Sequence, residues 1–163
     1  MDAPDLPREG KSLLDALVGI ELGVIGGVAM LLWFLIISPV LGKGWWLIPN
    51  LFASHFYGSR PVLAGPGEAT WAGTGIHLVI SGTLGGINGI VSPGGRLFGL
   101  GLTVAWYLLC YFVLWERYAP LMNSAPNAVL MIGYFLFGSA LGWHRHLVDY
   151  AIGRTTEQRV LAS

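Results

Sequence analysis

Four apolar stretches, residues 17–41, 71–91, 97–115 and 128–146, constrain this chain more than any other feature of its sequence. Each is near the ~20 residues that a helix needs to cross a ~30 Å hydrocarbon core. In lipid, backbone N–H and C=O groups must pair within their own segment, which selects helices for single spanning stretches. The expected fold is therefore all-α: a polytopic membrane protein with four transmembrane helices. Composition points the same way, with 54% hydrophobic and 11% charged residues against about 25% charged in soluble domains.

Residues 1–16 are expected to be a cytoplasmic tail and residues 151–163 a second one, flanking a bundle over 17–150. The apolar run after the mixed-charge start is too long for a signal-peptide core, so it reads as a retained first helix. Arg8, Lys11, Arg96, Arg145, Arg154 and Arg159 fall on one side of the four spans; Lys43, Arg60 and Arg117 fall on the other. The positive-inside rule then places both termini in the cytoplasm, and the protein in a cell inner membrane.

The connections differ in kind. Ser92-Pro93-Gly94-Gly95 reads as a tight turn, making the second and third spans an antiparallel hairpin. Residues 44–57 set Trp45, Ile48, Phe52, His55 and Phe56 at helical spacing, which suits a short helix lying in the outer headgroup region. The following Ser59–Thr70 segment, with its prolines and glycines, reads as a surface loop. Pro120 and Pro126 are placed to stop the third span and restart the fourth. Gly82-Thr83-Leu84-Gly85 and Gly138-Ser139-Ala140-Leu141-Gly142 echo each other, as two tandem hairpins would.

Small residues line every span. Gly19, Gly23 and Gly27 stand at i+4 spacing; Gly82, Gly85 and Gly89 follow in the second span, and Gly138 and Gly142 in the fourth. Such faces let membrane helices approach closely, either within one bundle or against another subunit. Glu21 is the only acid well inside a span, one turn past the expected start of the first helix and so near the inner interface. Asn88 and Arg145 are expected at similar depth and are candidates to contact it. Trp45, Trp46, Trp71, Trp115 and Trp143 lie near span ends and read as interface anchors. His77 opens the second span and is the one candidate haem or chlorophyll ligand. It is expected about 25 Å from His144 and His146, with His55 closer. Cys110 reads as a small core residue.

The sequence has no His-Glu-x-x-His, no paired cysteines and no phosphate-binding glycine loop. An enzyme is not expected, nor a resident cofactor beyond that option at His77. Zero net charge offers no basic field for nucleic acid. The expected partners are the lipid bilayer, bound lipids and other membrane subunits.

The strings GKGWWLIPNLFA, IHLVISGTLGGINGI and RYAPLMN resemble small bacterial four-helix integral membrane proteins of unknown function. The resemblance runs from about Gly19 to His146. It implies the four-helix topology and inner-membrane placement, and carries no activity to Pro49, Asn50, His77 or Asn123. The leading expectation is a non-catalytic accessory or scaffold subunit of a respiratory or photosynthetic type of complex. The alternatives are a homo-oligomeric carrier or channel using Glu21 and Asn88, and a haem- or pigment-binding helper using His77.

Overall fold

The computed structural model describes residues 8–91, 96–118 and 120–150. The expected turn at 92–95 and most of both expected tails lie outside those residues. Helix α1 spans Arg8–Val40, α2 Leu47–Tyr57, α3 Ser59–Ala64 and α4 Glu68–Val91. Helix α5, Arg96–Leu109, runs on through a π-helical turn, Cys110–Leu114, into α6, Trp115–Tyr118. A 3-10 turn, Pro120–Ser124, precedes α7, Asn127–Leu141. The architecture is all-helical, with no strand among the described residues.

Three helices are long and apolar enough to cross a membrane: Ser12–Val40, Glu68–Val91 and Leu97–Tyr118. Helix α7 has 15 residues, about 22 Å at 1.5 Å per residue. It stops because the chain turns at Gly142 and Trp143 before helical structure resumes over residues 144–150. Helix α1 starts earlier than the sequence suggested. Residues 8–16, expected as tail, are already helical.

Small residues decide which helices touch. Helix α1 packs most extensively on α4, then on α7. At the α1–α4 seam Gly19 and Gly23 lie directly on Gly85, Gly89 lies on the Asp15 carbonyl, and Gly27 lies on Ser81. A Cβ on Gly85 would stand 2.6 Å from the Gly23 Cα, so the two backbones are in contact. On the other side of α1, Gly133 of α7 admits the Phe34 ring, and Trp33 Nε1–H donates to the Val129 carbonyl at 2.9 Å. Helix α5 packs on α7, where Gly99 meets Gly138 and Gly142, and Thr103 meets Gly138. Helices α4 and α5 share almost no backbone proximity, so the expected hairpin neighbours do not pack together.

The end of α1 is a Schellman motif. Gly42 takes φ 70°, its N–H donates to Pro39 and the Lys43 N–H donates to Ser38, both at 2.9 Å. Helix α2 then folds back against α4, with Gly73 lying on the Pro49 carbonyl. The buried face of α2 carries Ile48, Leu51 and Ser54, while Trp45, His55 and Phe56 are exposed. The expected interfacial stripe is thus divided, because α2 packs on protein along one side. Asn50, fully buried, accepts from the Thr70 hydroxyl at 2.7 Å and donates to the Gly65 carbonyl at 3.0 Å. Instead of one irregular loop, α3 and the first turn of α4 occupy residues 59–70.

Candidate functional site

Polar residues of α4 face inward on one stripe. His77, Ser81 and Asn88 follow i, i+4 and i+11 spacing. His77 is buried, and its ring Nε2 lies 2.9 Å from the Gly27 carbonyl. A carbonyl only accepts, so Nε2 carries a proton, and in the neutral ring Nδ1 is left as the acceptor. Phe52 of α2 stacks on the same ring at 4.9 Å between centroids. The contact fixes the ring and covers one of its faces.

Below and beside His77 a cavity of about 170 Å³ opens between α4 and α5. Six side chains with polar atoms line it: His77, Ser81, Trp106, Cys110, Trp115 and Tyr134. Met30, Phe137 and Met122 complete its apolar wall. The separation of the two helices follows from side-chain size. Ile76, Ile80 and Leu84 on α4 face Trp106 of α5 and Leu114 of the π-helical turn across the cavity, where elsewhere glycine lets the backbones touch. Ile80 is 43% exposed, so the cavity reaches the surface of the protein between α4 and α5.

The π-helical turn builds one wall of the cavity. The Trp115 N–H bonds the Cys110 carbonyl, five residues back, and the extra residue turns both Cys110 and Trp115 inward. Trp115 is therefore buried in an aromatic cluster, with ring centroids 5.9 Å from Tyr107 and 6.5 Å from Tyr134. That corrects the expected anchor role of Trp115. The Tyr134 hydroxyl lies beside the Cys110 thiol. Ser81 behaves unlike Thr74, Thr83, Thr103 and Ser139, each of which donates to the carbonyl four residues back. Its hydroxyl makes no such bond and abuts Gly27.

The other candidates are dispersed. Glu21 is exposed on the side of α1 away from the seam, two residues and hence about 200° from both Gly19 and Gly23. The expected Glu21–Asn88 and Glu21–Arg145 contacts are absent, because Asn88 faces inward and Arg145 is exposed on another element. Glu21 also lies further along its helix than expected, because α1 begins at Arg8. Gly23 packs against Ser81 near the midpoint of α4, and Glu21 lies about 3 Å further along α1. Asn88 is buried, and its Oδ1 has no hydrogen-bond partner among the described residues.

His144 is buried and its Nε2 lies 2.9 Å from the Asp15 carbonyl, tying the chain beyond α7 to the start of α1. The contacts at Gly27 and Asp15 place His77 and His144 about 18 Å apart along α1. His55 bonds the Tyr118 carbonyl at 2.7 Å instead of approaching His77. No group of three metal-ligating side chains occurs among the described residues. Of the tryptophans, Trp45, Trp71 and Trp143 are exposed, while Trp46 packs over Gly44.

Gly19, Gly23, Gly27, Gly85 and Gly89 serve the α1–α4 seam, and Gly138 and Gly142 serve the α5–α7 contact. Gly82 is buried beside the Val24 and Ile20 side chains. Ser81, Cys110, Trp106 and Tyr134 were not singled out together by the sequence. One signal was available, since Ser81 is one turn from His77 and Tyr107, Tyr111 and Trp115 recur at i+4. No family model, no curated protein and no solved structure matches this chain.

Proposed function

We propose that this chain is a four-span integral membrane protein, with both termini cytoplasmic, and a non-catalytic accessory subunit of a larger membrane complex. The fourth span combines α7 with residues 144–150 beyond the Gly142 turn. Two features support the membrane reading. Apart from Glu21, the outer face of α1 is dominated by apolar residues from Leu17 through Ile36, and exposed tryptophans stand at both ends of the molecule. Trp45 and Trp71 lie near the end of α1, and Trp143 near its start, as two interfacial belts require.

The observation that carries the subunit reading is Glu21. Its carboxyl is exposed at mid-height among Leu17, Ile20, Val24 and Ile25, themselves 38–55% exposed. A charge at the centre of a bilayer costs about 2.5–3.5 kcal/mol on insertion scales and faces a partner or a cavity in nearly all membrane proteins. Among the described residues the outer face of α1 has neither. A neighbouring membrane helix carrying Arg, Lys or a neutral donor at that depth removes the cost. The glycines offer no such docking surface, because the chain's own helices occupy most of them.

Gentle detergent extraction followed by native gels tests the proposal. Wild type should migrate with other polypeptides, and Glu21→Leu should release a monomer of unchanged thermal stability. Wild-type protein that runs only as a free monomer would refute it. Migration solely with further copies of itself would favour the homo-oligomeric carrier instead.

A further inference from the structure

The cavity between α4 and α5 is the site that the subunit reading leaves without a use. At about 170 Å³ it is close to the ~150 Å³ at which an apolar protein cavity accepts one benzene ring. It falls below the ~300–1,000 Å³ usual for cofactor and drug-sized ligands, and so below a tetrapyrrole. Water is a poor occupant. The volume corresponds to about five or six waters, each needing two to four polar partners, and the walls do not supply that many. An acyl chain would fill the apolar part and leave the polar atoms unmatched.

Those polar atoms make a complementary set. Ser81 offers a hydroxyl donor without its usual carbonyl partner, and His77 keeps an acceptor lone pair on Nδ1. The two residues sit one turn apart on α4. Trp106, Trp115 and Tyr134 supply rings on the facing side, suited to stacked or edge-on contact with another ring. The π-helical turn that swings Cys110 and Trp115 inward is a device common at functional sites. A group that donates to one partner and accepts from another, mounted on a single ring, matches this set.

We propose that the cavity binds a lipid-soluble molecule bearing one hydroxylated aromatic ring, the phenol class. Its O–H donates to His77 Nδ1, its oxygen accepts from the Ser81 hydroxyl, and its substituent leaves past Ile80 between α4 and α5. The route of entry rests on the membrane reading above; the binding chemistry does not.

The test uses the full chain purified in a maltoside detergent, with 4-butylphenol as probe and butylbenzene as its match without the hydroxyl. Binding is read by tryptophan emission and by saturation-transfer NMR. Wild type should bind 4-butylphenol saturably and about tenfold more tightly than butylbenzene, the worth of one net hydrogen bond. Ser81→Ala should narrow that difference severalfold, because only the hydrogen bond to His77 remains, while leaving butylbenzene binding unchanged. Cys110→Phe, which fills the cavity, should abolish both; Leu84→Phe serves if that variant does not fold. Equal affinity for the two probes in wild type would overturn the proposal, as would phenol binding that neither filling variant alters. Membrane fractionation separates the two proposals. A chain found in the soluble fraction refutes the membrane reading while the probe assay still reports on the cavity.

Discussion

Helix α4 has two sides that meet neighbours in opposite ways. Toward α1 it presents Ser81, Gly85 and Gly89, and the backbones touch. Toward α5 it presents Ile76, Ile80 and Leu84, and a cavity lies between the helices. Both rows follow i+4 spacing and both are embedded in an apolar helix, so hydrophobicity does not separate them. Side-chain size does. Where lipid is as apolar as leucine, close van der Waals approach drives helix pairing, and only the glycine row permits it.

The largest expected effect comes from breaking the seam. Gly85→Val would place methyl groups on the Gly19 and Gly23 backbone, which cannot yield as a flexible side chain would. The loss should reach or exceed the ~1–3 kcal/mol of ordinary overpacking, seen as a collapsed melting transition or no recoverable folded protein. Gly75→Val is the control. With nothing within 4 Å of a Cβ there, its melting point should shift little, and an equal loss at both positions would remove the distinction between the two sides of α4.

Next in size is the polar knot that fixes α2 against the start of α4. Asn50→Leu leaves the Thr70 hydroxyl and the Gly65 carbonyl without their buried partner. A loss of about 1–3 kcal/mol is expected, measurable by thermal unfolding in detergent. His144→Phe should cost less, about 1 kcal/mol, because it removes one hydrogen bond to the Asp15 carbonyl while keeping the ring's bulk. The smallest effect has the opposite sign. Gly101 of α5 is exposed with open space around it, and Gly101→Ala should stabilise by about 0.5–1 kcal/mol through helix propensity.

Much of this arrangement could be read from residue spacing. The i+4 glycines of α1 and α4 announce a close seam, and Pro126 stands directly before α7. The place of Glu21 within its helix is not legible because polar residues 8–16 resemble a tail, although they continue the helix. Trp115 resembles an interface anchor until the π-helical turn, which has no simple sequence signature, rotates it inward. The cavity draws its walls from α1, α2, α4, α5, the π-helical turn, α6, the 3-10 turn and α7. Its lining could not be assembled without knowing that α5 leaves α4 for α7, a choice made by Gly99, Thr103 and Gly138 rather than by the short connection.

The central claim, that the small faces of α1 and α4 are satisfied within one chain, is most directly tested by disulfide trapping in native membranes. A Cβ on Gly82 would lie 3.3 Å from a Val24 methyl, within reach of a disulfide. In a Cys110→Ala background, Val24→Cys with Gly82→Cys should oxidise to an internal bridge, giving a monomer whose mobility reverts on reduction. A covalent dimer in its place would mean that the glycine faces join different chains, and would contradict the account.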